Sequence, residues 1–433
     1  MAKIRPFCAL RYDREKIPDL SRVVCPPYDV INPSAQEYYH RLSPYNMIHL
    51  ILGKDVAGED KYKRAAACFN SWVKERILVA DTTPAVYFYN QQFNVKGELK
   101  NRLGFIALLR LEDKESKIFP HEHTRLEPKE DRLRLLRRVK ANLSPIFVLF
   151  SDRKRIIRRT YEQYIRDTAP VINVTDVEKV SHKIWKLDCE KALNMLQAQM
   201  GDENIFIADG HHRYEVASSF RDIMNKRLAR PQPQADYNYI LAYFTNIESK
   251  GLTIFPIHRL VKRVNDFKIE KFKDSIKEYF DIQEVKEKSR FFFLMEIAGA
   301  RENTLGMYKD GKFYLLRLKN VKILDSEISD KPKEYRSLDV TILNYIVFKR
   351  ILGLDPESKD KIIFTPDSNE LIAQVDASKS SIGFLLNPVK IDRLVSIARE
   401  GEKMPTKSTY FYPKVPAGLV INKLETSAKK TQR

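Results

Sequence analysis

The sequence predicts an α/β protein with a second, α+β unit, on three observations. Short apolar runs rich in β-branched and aromatic residues recur through the first 260 residues. Amphipathic helical stretches lie between them. The texture then changes near Lys262, where a helix, strands and an Asp310-Gly311 hairpin turn follow in close order.

The opening segment reads as loop. Arg5-Pro6-Phe7 and Val23-Val24-Cys25-Pro26-Pro27-Tyr28-Asp29-Val30 hold prolines that forbid helix and leave a stiff extended path. Helices are expected over 33–42 and 58–77, the second with Tyr62, Ala66, Phe69 and Trp72 at helical spacing. Val86-Tyr87-Phe88-Tyr89 and Phe105-Ile106-Ala107-Leu108-Leu109 read as strands of a hairpin around Lys96-Gly97. Pro128 with Lys129-Glu130-Asp131 suits a helix start, and Leu133, Leu136 and Val139 line one face of that helix. A buried strand over 144–150 and a basic helix over 152–166 come next, then an apolar strand over 204–208 running into a helix. Strands over 239–244 and 252–255 follow, and further on a helix over 338–352 with strands over 362–364 and 382–386. This divides the chain into an α/β core over 1–260, an accessory α+β unit over 261–390, and a C-terminal segment over 391–433 that packs back on the core and frays at its end.

Lys plus Arg total 76 against 57 Asp plus Glu, a formal net charge of +19, which favours anionic partners: nucleic acid, nucleotides or phosphorylated metabolites. Cys8, Cys25, Cys68 and Cys189 are scattered without a CxxC pair, against a zinc knuckle or a disulfide framework. The first residues lack the apolar core of a signal peptide, and no apolar run approaches a membrane span, so a cytoplasmic chain without a membrane partner is expected. No Walker-type phosphate loop is present.

Histidines cluster in short segments at expected strand ends: His121-Glu122-His123-Thr124, Asp209-Gly210-His211-His212-Arg213, and Pro256-Ile257-His258-Arg259. The second segment is the sharpest. A strand delivers Gly210 to a tight turn, the helix start behind it favours an anion, and Arg213 offers a planar fork to phosphate oxygens. His211 and His212 are able to move a proton near neutral pH. The plain alternative is an Asp209 helix cap followed by polar surface. In the first segment the histidines are two apart, which excludes an HExxH zinc site; His121 and Glu122 are an expected acid/base pair, with a hydrogen-bonded polar cluster at a strand end as the plain alternative.

The stretch Asp209-Gly210-His211-His212-Arg213-Tyr214-Glu215-Val216-Ala217 resembles the phosphate-binding turn of the ParB/sulfiredoxin-like superfamily, which includes partition proteins, sulfiredoxin and free serine kinases. The resemblance implies a ParB/sulfiredoxin-like core in which Arg213 holds a nucleotide or substrate phosphate. Nearly the whole chain is similar to the family catalogued as domain of unknown function 1015. That likeness rests on Arg5-Pro6-Phe7, Pro26-Pro27-Tyr28-Asp29-Val30, His121-Glu122-His123-Thr124, Asp131-Arg132-Leu133, Ser144-Pro145-Ile146-Phe147, the 209–214 turn, Pro256-Ile257-His258-Arg259 and the segment 401–409. The family fixes no reaction.

The expected function is a phosphoryl-transfer or phosphate-ester enzyme acting on a small metabolite. Resemblance to the serine kinases implies serine or phosphoserine chemistry, as kinase or phosphatase. His121, Glu122, His211 and His212 are the expected catalytic residues. Asp209, Gly210, Arg213, Arg132, His258 and Lys407 are expected to bind substrate or phosphate, with all these segments lining one cleft. Mg²⁺ and a nucleotide are the expected cofactors, with Asp29 and Asp209 as candidate metal ligands. Two alternatives stand beside this: a ParB-like nucleotide or nucleic-acid-binding regulator, and a metal-dependent hydrolase built on the clustered histidines.

Overall fold

The computed structural model describes residues 3–112, 117–124, 126–227, 232–262, 269–358, 360–378 and 380–425. The chain divides into two compact units, the first made of 1–120, 124–252 and 413–433, the second of 121–123 and 253–412. The sequence drew its boundary at 260, and the structure draws it at Leu252–Thr253.

In the first unit the apolar runs pair into a nine-stranded mixed sheet among the described residues. Its order is Ile118–Phe119, Ile205–Asp209, Ile146–Phe150, Tyr239–Asn246, Glu98–Arg110, Val86–Val95, Ser181–Leu187 and Ile172–Thr175, with Ile4–Arg5 also pairing Glu98–Arg110. The long hairpin of Val86–Val95 with Glu98–Arg110 turns at Lys96 and Gly97, both at positive φ, 52° and 83°, as a tight two-residue turn demands. The central strands are buried on both faces: Ile146, Val148, Phe150, Phe105, Ala107, Ala242 and Phe244 on one, and Leu149, Ile106, Leu241 and Tyr243 on the other, are each fully enclosed. Ile205–Asp209 carries a bulge between Ile207 and Asp209 against the Ile146–Phe150 strand. An extra residue at that point re-aims the side chains beyond it, so Asp209 leaves the regular alternation where the helix begins.

Helix Leu126–Val139 packs on helix His211–Arg227. Leu136, Val216 and Phe220 form their shared apolar seam with Tyr237 and Leu424. Lys129 reaches Glu215 at 3.1 Å, and the Thr124 hydroxyl also donates to Glu215. The end of the chain belongs to this unit: Asn422–Lys423 pairs Ala141–Asn142, and Ile421 exchanges backbone hydrogen bonds with Leu10.

The second unit holds a six-stranded antiparallel sheet in the order Phe280–Val285, Lys312–Leu318, Thr304–Lys309, Ile382–Leu385, His258–Val261, Ile362–Thr365. Helices Lys288–Arg301 and Ser368–Asp376 contribute Phe291, Met295, Leu371 and Val375 to its core. The Asp310-Gly311 turn forms as expected, with φ of 50° and 75°. The helix expected over 338–352 is instead a short α-helix, Asp339–Ile342, running into a π-helical stretch, Leu343–Ile351.

Candidate functional site

The turn after Ile205–Asp209 takes the shape its sequence predicts. Gly210 sits at φ +90°, a conformation that L side chains rarely adopt. A Cβ there would lie 2.9 Å from the Ile146 side chain and 3.0 Å from the Arg213 guanidinium. Helix His211–Arg227 begins at once, its first turn closed by the Tyr214 N–H donating to the Gly210 carbonyl at 3.0 Å.

Arg213 has a structural duty that the sequence did not assign to it. Its Nη2 donates to Asp209 Oδ2 at 2.8 Å, and its Nη1 donates to Ser144 Oγ at 3.1 Å and to the Pro145 carbonyl. The guanidinium therefore ties the start of one central strand to the end of its neighbour. The other Asp209 oxygen accepts from Lys414 Nζ. Burial pushes the Asp209 carboxyl up, but Lys414, Arg213 and His211 pull harder and hold it down at about 2. Lys414 comes from a Pro-rich stretch 205 residues away and was missed in the sequence, where only its composition marked it.

Arg132 is more enclosed still. Its Nε donates to Asp131 at 2.7 Å, its Nη1 to the Ile51 carbonyl at 2.6 Å, and its guanidinium stacks 4.1 Å from the centre of the Tyr28 ring. The Tyr62 hydroxyl braces Asp131 at 2.7 Å. Burial and the Asp29 carboxylate push the Tyr28 phenol up, while Arg132 and Arg213 pull the other way, and it stays a protonated donor. Arg132, Arg213, Tyr28 and Ser144 line one cleft of about 70 Å³ in the first unit. Two residues predicted to bind phosphate, 81 positions apart, are thus brought to one place by the packing of their helices.

His211 is buried and His212 half-buried in the first turn of the helix. Asp29 is exposed. Both oxygens of Asp209 are engaged by cations, a poor donor set for Mg²⁺, which asks for carboxylate oxygens turned toward the ion. Among the described residues no group of three or more His, Cys, Asp or Glu side chains is placed to hold a metal ion.

The remaining predicted residues belong to the second unit. His121 is buried, its carbonyl accepting from the Met404 N–H at 2.8 Å. Glu122 Oε1 accepts from the Lys407 N–H at 3.3 Å, so two segments singled out in the sequence do meet. Lys407 itself is exposed, at φ 56°, and its carbonyl accepts from the buried Arg259 at 2.9 Å. His258 lies in the His258–Val261 strand, where its Nδ1 accepts from the Leu386 N–H at 3.2 Å. Burial, then the neighbouring Arg259, lowers its pKa to about 4, against a partial pull upward from Asp367. A neutral, enclosed imidazole accepting a backbone N–H is a core histidine, not a phosphate ligand. Each cluster stands within its own unit, whereas the sequence-based expectation of one shared cleft drew its residues from both segments of the chain.

Among the described residues no helix is long and apolar enough to cross a membrane. A comparison with curated proteins finds no match. Among solved structures the chain is similar to a conserved hypothetical protein from Pyrococcus furiosus, with 10% identity and a TM-score of 0.33 over 70% of this chain and 90% of that one. It is similar to SbnI with C-terminal truncation from Staphylococcus aureus, with 10% identity and a TM-score of 0.35 over 71% and 84%. A free serine kinase in complex with AMP matches with 10% identity and a TM-score of 0.34 over 71% and 88%. At the level of sequence, residues 4–341 match the model of the family described as Protein of unknown function (DUF1015), and the chain belongs to that family.

Proposed function

We propose that this protein binds a phosphorylated small metabolite in the cleft of its first unit and acts on the phosphate, by phosphoryl transfer or by hydrolysis of the ester. One observation carries the reading: Arg132 and Arg213, on two different helices, line the same cleft as the Ser144 hydroxyl and the Tyr28 phenol. Guanidinium groups fixed by packing and carboxylate partners are pre-organised for phosphate oxygens, and phosphoryl transfer is mostly positioning and charge neutralisation. In this reading His211 and His212, beside Asp209 at the helix start, move the proton, and a nucleotide is the candidate phosphoryl donor. Serine and phosphoserine, implied by the resemblance of the 209–217 turn, are the first substrates to try.

Phosphorus NMR of the full chain with O-phospho-L-serine, and separately with serine, ATP and Mg²⁺, tests the proposal. Release of phosphate or formation of a phosphate ester beyond one equivalent is expected, and Arg132→Ala should reduce the rate at least about tenfold. No turnover of any phosphorylated metabolite tried would remove the enzyme reading. The same assay decides the second cluster: unchanged turnover in Glu122→Gln and His121→Ala would take them out of the chemistry.

A further inference from the structure

The cleft has two chemically distinct parts. Its polar end is made by Arg132, Arg213 and Ser144. Apart from Tyr28 and Asn142 the rest is aliphatic, lined by Ile51, Leu135, Leu136, Leu143, Val216 and Ile240. Leu135, Leu136 and Val216 come from the two helices that carry the arginines and Ile240 from strand Tyr239–Asn246, while Ile51 ends helix Ile48–Ile51 and Leu143 follows strand Ala141–Asn142. Arg132 is itself held flat by the Tyr28 ring on one side and by Asp131 and the Ile51 carbonyl at its edge.

Resting on the phosphate reading above, we infer that the cleft takes phosphate monoesters of a compact apolar alcohol, with the phosphate at the arginine end and the apolar body against the leucines. A serine body would carry an ammonium and a carboxylate against that mostly aliphatic wall, where both lose water and gain few partners. An apolar body gains by the transfer instead. The cleft volume of about 70 Å³ limits the part of the body it holds to a small one, with any remainder directed to solvent. One or two buried carbon groups are worth roughly tenfold or more in discrimination.

Calorimetric titration of the full chain with phenyl phosphate, O-phospho-L-serine and inorganic phosphate tests this. Phenyl phosphate should bind at least about tenfold tighter than phosphoserine. Leu135→Gln should bring that ratio close to one while leaving inorganic phosphate affinity in place. If phosphoserine binds as tightly as phenyl phosphate while inorganic phosphate also binds, the apolar-body inference is wrong and the phosphate reading stands. If none of the three binds, the phosphate reading fails and takes this inference with it. The ligand ranking of the unaltered chain decides the matter even where Leu135→Gln does not fold.

Discussion

At the scale of single residues, the 209–213 turn shows how one arginine serves both fold and site. Its sequence suggested a side chain offered to phosphate oxygens. The structure sets Arg213 against Asp209, Ser144 and the Pro145 carbonyl, so its removal leaves a buried carboxylate with one cation fewer and a carbonyl without its donor. Arg213→Ala should therefore cost about 2–4 kcal/mol of unfolding free energy, and Arg213→Lys less, since lysine keeps the charge but not the fork. Gly210→Ala should also destabilise, by about 1–3 kcal/mol, because φ +90° and the adjacent guanidinium leave no room for a methyl group. Urea unfolding of the three variants checks this; an Arg213→Ala protein as stable as the parent contradicts it. Glycine and arginine were legible as a turn because the pattern is local, whereas the bulge before them was not read from the sequence. The role of Lys414 was not, because it depends on a chain end that returns from 205 residues away.

Elements whose cause is local were also the ones the sequence revealed. Both tight hairpins announced themselves through Lys96-Gly97 and Asp310-Gly311, where two successive residues take positive φ. Strands Ile172–Thr175 and Ser181–Leu187 escaped notice. Their polar members hide a buried His182 that bonds Tyr89 at 2.7 Å and Asp176 at 2.9 Å, a partnership no periodicity count detects. His258 was misread for a related reason: a histidine beside an arginine at a strand end resembles a ligand until the strand is paired on both sides. Its chemistry gives a test. The folded pKa, about 4, lies below the ordinary 6.5, so the unfolded chain binds the extra proton first and stability falls as pH drops from about 6.5 to 4. Asp339, pushed up to about 6 by burial, slopes the other way over part of that window, so the comparison must be between proteins. His258→Gln should lose less stability than the parent between pH 6.5 and 4, by about 2–3 kcal/mol, in denaturant titrations across that range. Parallel pH profiles for the two proteins would show that the imidazole does not titrate as described.

On the scale of the whole molecule, the fold class and its two-part character were legible, and the family match over 4–341 agrees with the ordered motifs. The candidate site was legible only in part, because the sequence listed clusters and only packing decides which of them share a unit. The net charge of +19 follows the composition and has no basic groove with interleaved aromatics attached to it in the sequence. Duplex DNA should accordingly bind weakly, without sequence preference and with steep loss of affinity on added salt. Tight, selective binding at physiological salt in a filter or anisotropy assay would favour the regulator alternative instead. The central claim is that Arg132 and Arg213 hold phosphate in one cleft, and Arg132 is the cleaner probe because its change leaves the strand-tying contacts of Arg213 intact. The direct measurement is the dissociation constant of inorganic phosphate for the parent protein and for folded Arg132→Ala. The account predicts weakening by about 10–100-fold, the worth of a hydrogen-bonded charge, and equal affinity in the two proteins would contradict it.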